Sequence, residues 1–261
     1  MINYKRKKLS IVVVGWHFKN SSIYKKLMNE TELYNNLEVK CYIASHKKKI
    51  EIDENIIDHF ARSKWKLLYF KNEGWDWGAY QQFLIWQKNN TLFSDYYLFL
   101  HDDIEIKNSG FIKVFIEQIQ NGAKVVGNGI ECSSNNHWKL THPEIISWSQ
   151  ANNFPIEINA WRWVRGSCFF TTRSVARDIL TKMPIKKGAS IRLGNWSEII
   201  FAGLVTSKYG EKSIEYIGKS QRKSFYIEEE ERGKTNNTLV IMLKNMKSRV
   251  LNKIKSLVLF Q

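Results

Sequence analysis

A chain of 261 residues with three cysteines and a formal net charge of +15 can bury a sizeable core without disulfide help. Cys41, Cys132 and Cys168 form no C-x-x-C pair, which argues against a zinc ribbon or a disulfide framework and fits a reducing cytoplasm. The basic excess favours anionic partners, whether nucleic acid, acidic lipid or phosphorylated small molecules, without choosing among them.

Taken in chain order, Leu9–Gly15 follows a basic start and is expected to be a first strand; the run is too short to read as a signal peptide. No segment is long and apolar enough to span a bilayer. Further strands are expected at Val39–Ser45, Lys66–Phe70, Tyr96–His101 and Lys124–Gly127. Helical spacing falls at Ser21–Tyr34, Glu54–Arg62, Gly78–Gln87 and Phe111–Gln120. This alternation is the βαβ signature of a mostly parallel sheet. Two glycines in Asn72–Gly78 relieve steric limits where a strand turns into a helix.

A polar, irregular stretch with His137, Trp138, His142 and Pro143 leads to about Ile158, and long connections of this kind are usually functional or mobile. Trp161–Phe170 reads as a strand, with Gly166 marking a bulge or a close approach to a ligand. Val175–Lys182 looks helical, Gly188–Gly194 reads as a loop, and helical spacing returns over Trp196–Lys208. Residues 235–261 contain no acidic side chain. Leu243, Met246, Val250, Ile254 and Leu257 share a helical face flanked by Arg249, Lys253 and Lys255, with Lys247 intruding. Such a basic amphipathic tail suits an anionic membrane surface through 239–261, although a terminal helix docking on its own domain looks similar. One domain, 1–234, plus this tail is the simplest division.

The most informative stretch is Tyr96–Ile106, YYLFLHDDIEI, an apolar strand that ends in His101, Asp102, Asp103 and Glu105. In open α/β sheets ligands gather outside the carboxyl ends of the strands. Clustered carboxylates repel one another unless a cation or a shared proton offsets the charge. Oxygen donors of this kind favour Mg²⁺ or Mn²⁺ over zinc. An acidic turn in water would read the same from these residues alone.

Together with this strand end, four other pieces resemble the GT-A class of nucleotide-sugar glycosyltransferases, in particular the family 2-like and rhamnan-synthesis-type enzymes of bacterial surface polysaccharides. They are the strand Ile11–Val14, the turn Asn72-Glu73-Gly74-Trp75-Asp76-Trp77-Gly78, Gly166 in VRGSCFFTTRS, and Asn195-Trp196-Ser197-Glu198 opening a helix. The resemblance runs over roughly residues 9–210. It implies a GT-A-like α/β domain with a mostly parallel central sheet flanked by helices, and a hexosyl- or deoxyhexosyl-transferase that uses a nucleotide-diphosphate sugar with Mn²⁺ or Mg²⁺.

By the same resemblance His101 and Asp103 occupy the positions of an Asp-x-Asp metal motif, with Asp102 between them. A His in the first position suits Mn²⁺ better than Mg²⁺. Glu105 is a further candidate beside the metal. Glu198 matches the carboxylate that takes the acceptor proton in inverting members; an ordinary acidic residue in a first helical turn would look alike. Asn72, Gly74 and Asp76 would shape the nucleotide site, with helix capping the alternative for Asp76. Arg165 and Arg162, and less strongly Arg173 and Arg192, suit phosphate contact through their guanidinium forks. His137 and His142 are weaker candidates for metal or pyrophosphate.

Ser45-His46-Lys47 stands where the family carries an acidic motif, which leaves the nucleotide open. Trp75, Trp77, Trp161, Trp163 and Trp196 could floor a sugar, and at least half of them fit the core better. The acceptor implied is a glycan, lipid-linked, on the inner face of the cytoplasmic membrane.

Two rival readings remain at this level. Nucleotidyl transfer would use similar carboxylates but lacks a Gly-rich phosphate loop after the first strand. A non-enzymatic, Trp-rich glycan- or nucleic-acid-binding module is opposed by dispersed basic residues and by the absence of an RNA-recognition signature, so no nucleic acid partner is expected.

Overall fold

The computed structural model describes residues 6–18, 21–106, 108–132, 147, 150, 161–185, 191–216 and 225–226. Six strands belong with β1 (Lys7–Gly15) to one sheet: β2 (Leu37–Ser45), β3 (Trp65–Tyr69), β4 (Tyr96–His101), β6 (Val125–Cys132), β7 (Trp161–Thr172) and β8 (Ile214–Tyr216). Their order is β3-β2-β1-β4-β7-β6-β8, and β5 (Glu105–Ile106) pairs separately with β9 (Phe225–Tyr226). Within the large sheet β7 alone runs against its neighbours. This is the mostly parallel α/β arrangement that the sequence pattern implies.

Side-chain parity along the central strands sets the two layers. Leu9, Ile11 and Val13 of β1 and Leu98 and Leu100 of β4 pack with Tyr24, Phe60 and Phe115. Those aromatics come from helices α1 (Ser22–Glu32), α2 (Glu54–Ala61) and α4 (Phe111–Gln120). Val12, Val14, Tyr97 and Phe99 face the opposite way, against Trp77, Tyr80 and Phe83 of α3 (Trp75–Asn89) and Phe201 and Val205 of α5 (Ile191–Tyr209). Aromatic contacts dominate this second layer: Phe169 stacks on Trp77 at 5.3 Å and lies 4.9 Å from Phe99.

Two helix starts differ from the sequence expectation. The helix expected at Gly78 begins at Trp75, because Gly74, at φ +76°, supplies a left-handed cap that other residues adopt with difficulty. A Cβ at Gly74 would also overlap Ile185. The helix expected at Trp196 begins at Ile191, so Gly194 is tolerated inside it and part of the loop expected over Gly188–Gly194 is helical. The region expected as a helix at Val175–Lys182 is a helical turn, Arg173–Val175, running into a π-helical turn, Ala176–Leu180. Among the described residues no helix is long and apolar enough to cross a membrane. The tail 235–261, the proposed boundary before it, and His137 and His142 lie outside the described residues.

Candidate active site at the carboxyl ends of the strands

The chain builds β1, β2 and β3 in one direction and then returns to place β4 on the other side of β1. That reversal opens a crevice between the carboxyl ends of β1 and β4, the place where open α/β sheets bind ligands. A cleft of about 230 Å³ lies there, lined by Val14, Trp16 and His17 at and beyond the end of β1, His46 after β2, Asn72, Trp75 and Asp76 around the start of α3, and His101, Asp102 and Asp103 at and beyond the end of β4.

Strand parity places His101, and the turn that follows β4 separates Asp102 from Asp103. His101 continues the row of Tyr97 and Phe99 toward α3, and its Nε2 meets Asp76 Oδ2 at 3.1 Å. Asp76 sits in the first turn of α3 and is not its cap. Asp102 turns to the other side, and its Oδ2 accepts the backbone N–H groups of Trp16, His17 and Phe18 at 3.0, 2.7 and 2.7 Å. Burial raises the Asp102 carboxyl above its ordinary range, against the opposing pull of these amides and of His17. Phe18, whose amide is one of the three, holds φ at +49°, a strained value for a large side chain that bonds of this kind can maintain. Asp102 therefore ties the β1 loop to β4.

Asp103 returns to the cleft. Its side chain is 14% exposed, with His101 Nδ1 3.9 Å from Oδ1 and His17 Nε2 3.8 Å from Oδ2. Both separations exceed a hydrogen bond. Asp103 Oδ1 is buried and has no hydrogen-bond donor among the described residues. A carboxylate flanked by two imidazoles, one on each oxygen, with its Oδ1 lacking a donor among the described residues, fits a cation site. Among the described residues no three His, Cys, Asp or Glu side chains converge as a complete metal cage. Mg²⁺-type sites commonly use one or two carboxylates and draw their remaining ligands from substrate phosphates and water, so this donor set is sufficient.

Behind Asp76 stands β7. Gly127 pairs with Phe169 and Gly129 with Val164, so Arg165–Cys168 bulge against Asn128. The bulge takes Gly166 out of the β6 ladder, as its glycine foretold. Its N–H donates to Glu198 Oε1 at 2.8 Å and its carbonyl accepts from Tyr80 at 2.8 Å. A Cβ at Gly166 would overlap Asp76 Oδ2. Glu198 lies one turn before Phe201 and Ala202 on the sheet-facing stripe of α5, which brings it to Gly166. Helix α5 begins seven residues before Glu198, so a first-turn preference does not explain this carboxylate. Glu198, Gly166, Asp76, His101 and Asp103 thus form a contiguous path, with Glu198 behind the cleft wall and not among its lining residues.

Other candidates separate from the cleft. Arg173 bonds the carbonyls of Ser94 and Phe93 and pairs with Asp95 at 3.1 Å. These residues precede β4, about 20 Å from His101 at the rise of an extended strand, so Arg173 is a structural clamp. Glu105 is exposed in β5, and Arg165 sits in the bulge; neither lines the cleft. Trp77 and Trp196 are buried in the core, whereas Trp75 is 38% exposed in the cleft. The side chains of Trp161, Arg162, Trp163 and Arg192 lie outside the described residues. Trp16, His17 and His46 were not picked out as site residues by sequence, although each directly follows a parallel strand, which is the signal that finds them. His46 Nε2 donates to the Trp75 carbonyl at 3.0 Å, and the Trp16 ring lies edge-on to His46 and under Lys47 Nζ.

No family model and no curated protein matches the chain. Solved structures do resemble it. They include mannosyl-3-phosphoglycerate synthase from Rubrobacter xylanophilus, at 10% identity, 80% of this chain, 65% of that one and a TM-score of 0.48. Core-mannan synthase A from Aspergillus fumigatus, in an Mn/GDP form, gives 10% identity, 83% and 74% coverage and a TM-score of 0.44. TarS from S. aureus gives 13% identity, 81% and 58% coverage and a TM-score of 0.43. The chain thus spans less than two thirds of the first and third. At these values the likeness decides neither reaction nor ligand, and the chemistry has to come from the side chains.

Proposed function

We propose that this chain is a metal-dependent glycosyltransferase that moves a sugar from a nucleotide diphosphate to a glycan acceptor, by single displacement with inversion. The observation that carries the reading is the buried Asp103 Oδ1 at the topological switch point, without a donor among the described residues and joined through His101, Asp76 and Gly166 to Glu198.

Asp103 and His101 would hold a divalent cation. When bound, such an ion supplies Lewis-acid stabilisation of the charge that develops on the departing diphosphate. The backbone amides after β1 face Asp102, so they are not directed at a phosphate, and the cation is the natural source of that neutralisation. The acceptor hydroxyl would approach from the Glu198 side of Gly166, outside the cleft lining, where Glu198 takes its proton as the hydroxyl oxygen bonds to the anomeric carbon. The bond from that carbon to the diphosphate breaks, and its electron pair leaves on the phosphate oxygen. The Gly166 N–H orients Glu198 for this role. Asn72 and Trp75 would contact the nucleotide, with Gly74 shaping their turn. The acceptor is read as lipid-linked and the enzyme as cytoplasmic, held at the inner face of the membrane by 239–261.

The test is a thermal-shift screen of nucleoside diphosphates and their sugars with and without Mn²⁺, since a ligand of the folded state raises apparent stability. Binding should require the metal. Asp103→Asn should remove the metal-dependent shift, while Glu198→Gln should retain it and lower transfer by about 10²–10⁴-fold. Normal turnover in Glu198→Gln would reject the base assignment. Unchanged binding to anionic vesicles after deletion of 239–261 would reject the tail's role.

A further inference from the structure

We propose that the rim of the cleft, where β1, β2 and β3 end, docks on an anionic lipid surface, with Ile50 entering the headgroup region and Lys47, Lys48 and Lys49 facing lipid phosphates. This deepens the membrane placement proposed above, yet it requires neither the tail 239–261 nor the transfer chemistry.

The three parallel strands end level with one another, since Gly15 pairs with Ser45 and Ser45 with Tyr69. The loops that follow therefore rise from one edge of the sheet. Among the described residues six large apolar side chains are exposed, and four of them, Trp16, Ile50, Tyr69 and Trp75, belong to this edge or to the loops beyond it. Single exposed apolar groups are ordinary, but a gathering at one edge marks an interaction surface. Trp16, His46, Lys47 and Trp75 touch in succession: the Trp16 ring meets His46 edge-on, the Lys47 ammonium lies 5.7 Å from the Trp16 ring centre, and His46 bonds the Trp75 carbonyl.

Ile50 is the extreme case, at 92% exposure. It sits in a 3₁₀ turn, Lys49–Glu51, with Lys47 and Lys48 immediately before it. The turn is closed by its own backbone and by Glu51, whose Oε2 accepts the Lys48 N–H at 2.7 Å. That bond draws the Glu51 carboxylate back onto the turn. Asp53 is engaged in the same way at the start of α2, accepting the Asn55 N–H at 2.9 Å. Glu54, in the first turn of α2, then stands against three lysines.

An aliphatic tip among ammonium groups has no complementary surroundings in water. At an anionic bilayer each part has them. Indole and phenol rings settle at headgroup level, lysine stems lie along apolar surface while their charges stay with the phosphates, and Ile50 reaches the acyl boundary. A protein partner would meet isolated tips instead of the contiguous apolar centre of a stable interface. Docked in this way, the mouth of the cleft faces the headgroups.

The test uses the full chain with Cys132→Ser, where Cys41 and Cys168 are buried, carrying an environment-sensitive fluorophore at Ile50→Cys or at Leu33→Cys. Leu33 is also exposed but precedes β2, at the opposite edge of the sheet. With vesicles of mixed phosphatidylcholine and phosphatidylglycerol, the label at 50 should shift to the blue and be quenched by shallow nitroxide lipids, while the label at 33 should do neither. Phosphatidylcholine alone should give no response. Lys48→Ala combined with Lys49→Ala should weaken vesicle affinity about 25-fold, at about fivefold per lysine, and Ile50→Ser about tenfold. Unchanged affinity in these variants, an equal response at 33 and 50, or no vesicle binding would reject the proposal. A label at 50 that stays in water while the chain binds would sink the rim and leave the tail's role standing. Equally tight binding to soluble polyglutamate would assign the rim to an acidic protein and overturn the lipid assignment. No metal, nucleotide or sugar takes part, so docking by a chain without transferase activity would uphold this inference and sink only the enzyme reading.

Discussion

Asp102 and Asp103 are adjacent in sequence and have opposite fates. The turn after β4 sends Asp102 to the β1 loop, where one oxygen gathers three amides, and Asp103 into the cleft, where one oxygen has no donor among the described residues. The motif therefore contains one carboxylate that straps the fold and one that faces the cleft. Asp102→Ala should destabilise the fold by about 1.5–3 kcal/mol, the worth of a charge-assisted hydrogen bond and the donors it leaves behind. Asp102→Asn, which keeps one acceptor oxygen, should cost less. Denaturant melts measure both, and an unchanged midpoint for Asp102→Ala would refute the strap. His101 and Asp103 were legible because an apolar run stops at them. The pairing of Asp76 with His101 and that of Gly166 with Glu198 were not. Each joins residues at least 25 apart, and both depend on a helix entry and a strand bulge that pattern alone does not place.

Among the elements, β4 and α4 match the expected bounds, because their ends coincide with abrupt changes in polarity. Helices α3 and α5 start earlier than their glycines indicated: Gly74 acts as a cap, and Gly194 is carried inside a helix whose packing outweighs its cost. The π-helical turn Ala176–Leu180 was not legible, since its spacing is that of a helix. Asp178 in that turn takes a 2.8 Å bond from Arg177 Nε and a 3.1 Å bond from Lys208 Nζ of α5. Its carboxyl is pulled down to about 2, chiefly by the Arg177 hydrogen bond. A carboxyl depressed in the folded state stabilises above its unfolded value, ordinarily near 3.8, and that stabilisation is lost as pH falls through about 2. Melting temperatures of Asp178→Asn should therefore fall less steeply than wild type between pH 4 and 2, and identical slopes would show that the bridge is idle.

For the whole molecule, the parallel strands β1–β4 and the reversed β7 meet along β4, and the aromatic layer of Trp77, Phe99, Phe169 and Phe201 crosses that seam. The cores on both faces of the sheet span that seam, which implies one cooperative unit. Cys41 on β2 and Cys168 on β7 report on the two sides. Burial pushes both thiols up to about 12, so neither should react while the protein is native. In a Cys132→Ser background the two should become reactive together across a single denaturant transition. Two separated labelling phases would divide the unit at the seam.

Because Asp102 fastens the turn after β1 onto β4, Trp16, His17, His101 and Asp103 share a common foundation. The facing jaw, residues 72–75, shows no such three-amide strap to β4 among the described residues and is latched by His46 through the Trp75 carbonyl, so widening of the crevice for a bulky guest is easiest there. That latch, a single contact at the rim, is where the breathing of this mouth would be set.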